Sequence, residues 1–472
     1  MPYRVYMEKW VLKILKEERQ KRGVPLEVKT LNNNYYLYRS TTRWDAENKK
    51  IRKLSEYIGR ITKHGVIEKR ERNVVRSVYH YGNAQFLFLM AQDIIEHLKR
   101  YFPGCWQELL ACALIKVLQP TPLKRMKSVW ETLHLSQDLD ASLSPKVLSG
   151  ILRDVGANYA AQKSFFDELT KNSRTLIFDL SSVFSYSQNI RLAEIGHNTR
   201  QLFVPQISFL LFFSFTKKLP VRLKPLPGSV RDIKALKAVL DELEAKNCVL
   251  VIDRGLASYK FAEDLNKKFR FIMPLRRDFS IVDYDMQMKK MFLYRKRGIK
   301  WDVKKVGKFF LYLFEDVKLR ADEESTFIGL VNEGRKNRGA FKIASKQFGK
   351  IALLSNICES GEEIYLMYKD RESIEIAFDA LKNELENDKI YLSDDDAIRG
   401  YFFIAFLSLY LYYKVLNKLK ETNLSQKISV KDLLFELSKI YEVHIDNKKK
   451  FSEIPKKVEQ LIKSLGVDIF PK

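Results

Sequence analysis

The order of apolar segments in this 472-residue chain predicts an α/β fold. Between residues 175 and 275, apolar runs typical of strands, such as CVLVID, alternate with amphipathic segments typical of helices, such as ASYKFAEDLNKK. This alternation is typical of a sheet that is covered by helices. The run CVLVID is continuously apolar, which favours a strand buried on both faces. These observations predict a sheet-based core, and the remaining elements are assigned around it.

The segments before the predicted core differ in their periodicity. Residues 1–75 combine β-formers with Asn-rich and charged turns, as in NNNYYLYRSTTRWDAENKKIRKLSEYIGRI, which predicts a small β module of short strands and turns. Residues 76–168 place apolar residues at three- and four-residue spacing, as in AQFLFLMAQDIIEHLKRYF, which predicts a helical domain.

The predicted core is divided along the sequence. Its first part, residues 169–275, contains TLIFDLSSVFSY, a hairpin through HNTR, the helix VRDIKALKAVLDELEAKN and the strand RFIMPL. The α/β rhythm breaks at 276–365, where WDVKKVGKFFLYLFEDVKL, STFIGLVNEG and FGKIALLSN are typical of strands, so this segment is expected to be rich in strands. Helices resume at 366–420, the second part of the core, and a C-terminal helical region is expected at 421–472.

The chain is strongly basic. It has 83 Lys and Arg against 58 Asp and Glu, a net charge of +25, and the basic residues occur in every region. This distribution favours a broad surface that binds a polyanion, with nucleic acid favoured over a membrane. Solvated Lys-rich faces without a partner are the alternative.

Cysteine spacing and hydropathy indicate the compartment. The four cysteines show no paired spacing, which fits a reducing cytoplasm and favours neither disulfides nor a zinc site. The start, MPYRVYMEKWVLK, lacks the pattern of a secretory signal. The most apolar stretch, 401–416, is shorter than the roughly 20 residues that span a bilayer, so a buried core helix is expected. We therefore expect a cytoplasmic, nucleoid-associated protein with no membrane partner.

Two aspartates end apolar strand-like runs. Asp179 ends TLIFD and Asp253 ends CVLVID. Ligands gather at the carboxyl ends of strands in α/β sheets, and an acid buried there needs a partner or a metal. Either residue could instead cap a helix or a turn, and Arg254 could form a salt bridge with Asp253.

A third acid lies in a segment predicted to be helical. The spacing Tyr368, Arg371, Glu375 and Lys382 puts four polar residues on one helical face. Glu375 could bind a metal, Arg371 and Lys382 could neutralise phosphate, and Tyr368 could stack on a base or bond to a phosphate. A solvated helix with an i,i+4 Arg–Glu pair is the alternative.

An apolar stripe on the same segment should face the core. Its members are Ile374, Phe378, Leu381 and Leu385. The polar face would then border the edge of the core, where an active-site carboxylate is expected.

These residues resemble the successive signatures of DDE transposases from prokaryotic insertion sequences. The resemblance is to the group marked by a Y-R-E-K signature, insertion sequence 4-like in the broad sense. The matching motifs are DLSSVFSY, PLPGSVRD, VLVIDRGLAS and YKDRESIEIAFDALK, and the opening YYLYRSTTRWDAENKKIRKLSEYIGRI is similar to one branch of the group. The resemblance covers most of the chain and is weakest at 276–365 and in the tail.

The resemblance implies an RNase H-like catalytic core formed by 169–275 and 366–420, with a β-rich insertion domain at 276–365 before the last acid. The helical domain at 76–168 is expected to bind DNA. Asp179, Asp253 and Glu375 would be the catalytic triad and hold two Mg²⁺ ions, for which Mn²⁺ could substitute. The family often has Gly-Asn before an intermediate Asp. Here Gly228-Ser229-Val230-Arg231 precedes Asp232, which we assign to a helix start.

The implied activity is Mg²⁺-dependent cleavage and strand transfer in cut-and-paste DNA transposition. The partners would be double-stranded DNA, as terminal inverted repeats and target DNA, with the protein a homodimer when bound to DNA. The basic run MKKMFLYRKRGIKWDVKKVGK suits phosphate contact with occasional stacking, or is a solvated hairpin. A catalytically silent DNA-binding protein and an RNase H-fold nuclease without strand transfer are the rival functions.

Overall fold

The computed structural model describes most of the chain in nine ranges. They are residues 7–45, 50–69, 75–185, 190–196, 204–229, 249–385, 389–390, 392–445 and 448–471. The HNTR hairpin turn, the predicted helix at 230–247 and Asp232 lie outside the described residues. The chain divides into two compact units, one comprising Met1–Arg76 with His444–Lys448 and the other comprising the remainder.

The first unit packs one helix on an antiparallel sheet. Helix α1 (Lys9–Arg22) precedes four strands in the order β1 (Leu26–Leu31), β2 (Asn34–Asp45), β3 (Lys50–Thr62) and β4 (Gly65–Glu68). The expectation of strands and turns throughout residues 1–75 was therefore wrong for α1.

A small core explains why the first unit contains a helix. Val11, Ile14 and Leu15 are buried at helical spacing and pack with Leu26 and Leu37. The Asn-rich and β-forming residues that dominate the region supply only the sheet. The helical spacing of Val11, Ile14 and Leu15, which precede the β-forming residues, is the sequence signal for α1.

The second unit starts with the helical region that the spacing predicted. Its helices are α2 (Gly82–Met90), α3 (Gln92–Tyr101), α4 (Trp106–Leu118), α5 (Met126–Trp130), α6 (Pro145–Ala157) and α7 (Tyr159–Thr170). A strand, β5 (Val75–His80), precedes them.

In the described residues, eleven strands form one mixed sheet. They are β6 (Thr175–Ser185), β7 (Glu194–Ile195), β8 (Pro205–Ser214), β9 (Leu219–Pro227), β10 (Val249–Val251), β11 (Arg270–Pro274), β12 (Lys290–Tyr294), β13 (Arg297–Val306), β14 (Phe309–Asp316), β15 (Lys350–Ser355) and β16 (Lys389–Ile390). The path through the sheet is β12-β13-β14-β15-β11-β10-β6-β8-β7, with β9 on β8 and β16 on β6. The α/β class is thus confirmed.

The centre of the sheet combines two kinds of pairing. Strand β10 runs parallel to both β6 and β11, whereas β8 runs antiparallel to β6 and β9 runs antiparallel to β8. The strands of 276–365 do not form a sheet of their own. They extend the same sheet through the antiparallel pair β11–β15.

The remaining helices lie between and after these strands. They are α8 (Tyr259–Asn266), α9 (Val317–Asn332), α10 (Phe341–Ala344), α11 (Gly361–Lys369), α12 (Glu372–Asp379), α13 (Asp395–Glu421), α14 (Val430–Leu437) and α15 (Lys456–Leu465). The interpretation of STFIGLVNEG as a strand was wrong, because it ends α9. The Asp316 side chain caps α9 by accepting a hydrogen bond from the Leu319 N–H at 3.0 Å.

The C-terminal region is less helical than expected. Strands β17 (Tyr441–Ile445) and β18 (Lys448–Phe451) separate its two helices, and a small sheet has the order β18-β17-β5. The segment YEV, which was assigned to a helix, belongs to β17 because α14 ends at Leu437.

Helix α13 is the longest helix described, at 27 residues, and is long and apolar enough to cross a membrane. Most of its apolar segment is buried inside the protein, between α4 and α6 and against β9. Phe402, Phe406 and Leu409 have exposures of 3% or less. This burial is typical of a core helix.

Two glycines allow α6 and α13 to approach closely. A methyl group at Gly400 would overlap the Leu152 carbonyl oxygen, and one at Gly156 would overlap the Asp396 carbonyl oxygen. Because both obstacles are backbone atoms, a side chain could fit only if the helices separated.

We therefore expect Gly400→Ala to lower the free energy of unfolding by about 1–3 kcal/mol through overpacking. Gly150→Ala is the matched control, because Gly150 lies in α6 with open space around its Cα. There the substitution should be neutral or stabilise by up to about 1 kcal/mol. Chemical denaturation measures both, and equal effects of the two substitutions would contradict this packing.

Candidate active site

Strands β6 and β10 bring the two aspartates side by side. The parallel register pairs Ile177 with Val251, so two residues further along each chain Asp179 comes level with Asp253. The expectation that Asp179 ends its strand was wrong. It is the fifth residue of β6, which continues to Ser185 along β8. What ends just before Asp179 is the pairing of β6 with β10, not strand β6 itself.

The segment that carries Glu375 is not one regular helix. Helix α11 ends at Lys369, a turn contains Arg371, and α12 runs from Glu372 to Asp379. A π-helical turn, Ala380–Glu384, follows. The prediction of four residues on one continuous helical face was therefore wrong in its geometry.

The apolar stripe was predicted correctly. Ile374, Leu381 and Leu385 are buried, and Phe378 packs edge-on against Phe209 with ring centroids 5.6 Å apart. This packing holds the segment against the sheet with Glu375 outward, at 61% side-chain exposure.

The guanidinium of Arg371 joins all three acids. Its Nη2 atom lies 2.6 Å from Asp253 Oδ1, 3.4 Å from Glu375 Oε1 and 3.6 Å from Asp179 Oδ2. The structure therefore brings together four of the six residues that the sequence singled out. Arg371 contacts carboxylates here, whereas its place in the Tyr368–Lys382 spacing predicted contact with phosphate.

Each aspartate is also held by a backbone N–H group. Asp179 Oδ1 accepts from Leu180 at 2.8 Å, and Asp253 Oδ2 accepts from Gly255 at 2.7 Å. Asp253 thus caps the short helical turn that follows it, which was the alternative that the sequence allowed for this residue. Its other carboxylate oxygen faces Arg371.

Burial sets the ionisation of Asp179. Desolvation raises the pKa of Asp179 to about 6, the Arg371 guanidinium opposes that rise, and the Asp253 carboxylate adds to it. The carboxyl is only 17% exposed. A carboxyl group whose pKa is raised by burial and by a second carboxylate, as here by Asp253, is typical of a functional site.

Tyr368 and Lys382 border this cluster. Burial raises the pKa of Tyr368, while the positive charges of Arg371 and Arg254 act in the opposite direction. Lys382 Nζ donates to Ser181 Oγ at 2.7 Å, two residues beyond Asp179 on β6. The predicted signature residues thus surround the acids, although Lys382 reaches them through β6 and not through a shared helical face.

Three further residues, which the sequence did not indicate, contact the segment that carries Glu375. Arg295 Nη1 lies 2.9 Å from Glu372 Oε2 in the first turn of α12, and Lys218 Nζ lies 3.0 Å from Asp370 Oδ1. The Tyr413 hydroxyl donates to the Ser373 carbonyl at 3.0 Å. No local motif marks these residues, because each lies far along the chain from its partner.

The basic run at 288–308 forms β12 and β13. Its Trp301 is buried and stacks near Tyr312, and its Phe292 and Tyr294 pack edge-on against Tyr365. The expectation that aromatic residues of this run stack on bases was wrong for Trp301, since strand alternation turns it inward. Lysines such as Lys304 remain exposed.

The acids fit a divalent metal in chemistry. Carboxylate oxygens are the ligands that Mg²⁺ prefers, and three of them surround one nitrogen of Arg371. Within the ranges that the structure describes, no three acidic, His or Cys residues are close enough to hold an ion as they stand. Arg371 explains the spacing, because its guanidinium lies between the carboxylates. Its Nε atom is buried without a hydrogen-bond partner among the described residues.

A family model described as a transposase DDE domain matches residues 176–411. Among solved structures, a cryo-EM structure of the piggyBac transposase synaptic complex with hairpin DNA is similar with a TM-score of 0.37 and 10% identity. That match covers 75% of this chain and 69% of the other. No curated protein matches the sequence.

The raised pKa of Asp179 predicts a pH-dependent stability. The folded carboxyl titrates near 6 and an ordinary one near 3.8, so the folded chain holds the extra proton between these values. This group therefore lowers the free energy of unfolding as pH rises from about 4 to 6 and contributes a constant penalty above that.

Asp179→Asn removes that penalty. Its stability relative to the wild type should rise by roughly 1–3 kcal/mol between pH 4 and pH 7. Urea unfolding at both pH values, without divalent ions, measures it. A stability difference that does not change with pH would show that Asp179 titrates normally.

Arg371→Gln should leave three carboxylates facing one another. We expect it to destabilise the metal-free protein by about 1–3 kcal/mol, below the 3–5 kcal/mol of a fully buried pair because Glu375 is exposed. Added Mg²⁺ should raise its melting temperature more than that of the wild type. Arg335→Gln, which breaks an exposed pair with Glu333, is the control with an effect of about 0–1 kcal/mol. Equal Mg²⁺ responses would contradict competition between Arg371 and the ion.

Proposed function

The chain belongs to the transposase DDE domain family, and from this premise we propose that it binds transposon-end DNA and catalyses cut-and-paste transposition. We further assign it to the Y-R-E-K group of prokaryotic insertion sequences. The observation that carries the proposal is the convergence of Asp179, Asp253 and Glu375 on a single nitrogen of Arg371. Residues from two adjacent strands and one helix would not meet in this way for capping alone.

The three acids would hold two Mg²⁺ ions. When bound, the ions would activate the attacking oxygen and stabilise the leaving oxygen of the phosphodiester. The chain itself supplies position and charge. The packed stripe and the Arg295–Glu372 pair hold Glu375 against the sheet, and the backbone N–H of Gly255 holds Asp253.

Arg371 has two partners in this proposal. It neutralises the acids before the ions bind, and once released it is available to a DNA phosphate, which guanidinium groups can bind bidentately. Tyr368 and Lys382 flank the same position and would contact DNA beside it. This order would couple ion binding to substrate binding.

We also propose that strands β9, β8, β6, β10 and β11, with α12, form the RNase H-like core that the family resemblance implies. Support comes from the central position of the acid-bearing strands in the sheet. DNA ends would be held by residues 1–75 and 76–168 and by the basic insertion at 276–365, with the protein acting as a homodimer on DNA in the cytoplasm. The rival functions, a silent DNA-binding protein or a nuclease without strand transfer, predict different products.

Asp179→Asn, Asp253→Asn and Glu375→Gln should each reduce cleavage and strand transfer on the order of 10³-fold or more, while DNA affinity stays within a few-fold. The assay uses purified protein, Mg²⁺ and DNA taken from the sequence flanking the gene. Asp379→Asn is the matched control, since Asp379 is exposed on the same helix and contacts Asn383. It should keep full activity.

The products separate the rivals. Nicking without joined products would favour a nuclease, and binding without nicking would favour a silent DNA-binding protein. Strand transfer at the wild-type rate by any of the three acid variants would overturn the assignment of the site.

A further inference from the structure

A basic cavity of about 510 Å³ opens beside the acid cluster. It is lined by Arg254, Gly255, Arg276, Arg277 and Asp278. None of its three arginines belongs to the Tyr368, Arg371 and Lys382 set. The cavity is therefore a separate feature of the same sheet edge, and its ligand follows from its position and its charges.

The cavity lies at the carboxyl ends of two parallel strands, β10 and β11. Arg254 follows β10 directly after Asp253, and Arg276 and Arg277 follow β11. Strands β10 and β11 are parallel neighbours, so their carboxyl ends open onto one edge, where ligands of such sheets bind. Arg254 is also close enough to Tyr368 to lower the pKa of its hydroxyl, against the effect of burial.

Among the described residues, ion pairs neutralise only part of the positive charge that lines the cavity. Arg277 is neutralised, because its Nη2 contacts both carboxylate oxygens of Glu323 at 2.7 and 2.9 Å. Arg254 and Arg276 are exposed, and among the described residues neither has an acidic side chain within ion-pair distance. Two guanidinium groups without an ion-pair partner in the described ranges therefore line the cavity, and Asp278 is the acid among the lining residues described.

The turn that presents Arg254 is fixed by Asp253. The Asp253 carboxylate accepts the Gly255 N–H at 2.7 Å, and a Cβ at position 255 would lie 2.8 Å from Asp253 Oδ2. A glycine therefore allows the acid and the arginine to share one tight turn. Asp253 then faces the acid cluster while Arg254 lines the cavity, so a ligand in the cavity would lie next to the proposed reaction centre.

We propose that Arg254 and Arg276 bind one backbone phosphate of the DNA strand next to the phosphodiester that is cut. This assignment rests on the proposed function and adds to it the residues that hold the flanking strand. Guanidinium groups suit the paired oxygens of a phosphodiester, and the contact needs no particular base. The two arginines would thus set the register of the strand over Asp179, Asp253 and Glu375.

The salt dependence of DNA binding tests the assignment without any catalysis. The probe is a fluorescent duplex from the sequence flanking the gene, titrated in EDTA at several salt concentrations. Each lost phosphate contact should reduce the slope of log affinity against log salt by about 0.9. Arg254→Gln and Arg276→Gln should each flatten the slope by about that amount or less, since they share one phosphate, and the double variant by about 0.9.

Charge-retaining variants provide the matched control. Arg254→Lys and Arg276→Lys should keep most of the slope, because lysine still neutralises the phosphate. All five variants, the Gln double variant included, should melt within a few degrees of the wild type, since the replaced side chains are exposed. Unchanged slopes in the folded Gln double variant would overturn the proposal.

Two further results test the DNA assignment of the cavity and the proposed function separately. A thermal shift of the wild type by inorganic phosphate that the double variant loses, with no change in the DNA slope, would assign the cavity to free phosphoryl compounds and overturn the DNA assignment. If the slope falls as expected but the wild type never cuts DNA with Mg²⁺, the assignment of Arg254 and Arg276 to a DNA phosphate stands, whereas the transposase proposal and the position of that phosphate beside a cut fail.

Discussion

The arrangement of the site depends on one cation placed among three acids. Arg371 contacts Asp179, Asp253 and Glu375 through the same nitrogen. Asp179 lies in β6, Asp253 follows the neighbouring strand β10, and Glu375 lies in α12. Without a positive charge at that point, the three carboxylates would repel one another in a partly buried setting. The guanidinium thus offsets the repulsion between carboxylates that the fold brings together.

The sheet determines where that cation has to be. Parallel pairing of β6 with β10 puts two aspartates level at the point where the ladder ends, and the pair β11–β15 joins the later strands to the same sheet. The segment carrying Glu375 then returns to the sheet through its buried apolar side chains. The arginines that follow β10 and β11 extend positive charge outward from the acids, so one edge of the sheet has an acidic centre with a basic margin.

The α/β class, the helical region and the identity of the clustered acids could be predicted from sequence because they depend on period and local spacing. The end of β6 could not, since TLIFD and the polar residues after it belong to one strand that continues along β8. The π-turn after α12 could not either, because Ala380–Glu384 has an ordinary helical pattern. The Arg295–Glu372 and Lys382–Ser181 contacts depend on tertiary structure, so local spacing gave no signal for them.

In the proposed function, Arg371 occupies the place that divalent ions would take among Asp179, Asp253 and Glu375. A crystal structure of the protein soaked in Mn²⁺, with anomalous diffraction recorded at the manganese edge, tests it most directly. We expect anomalous density between the three carboxylates and an Arg371 side chain that has moved away from them. Manganese bound elsewhere, with Arg371 still between the acids, would contradict it.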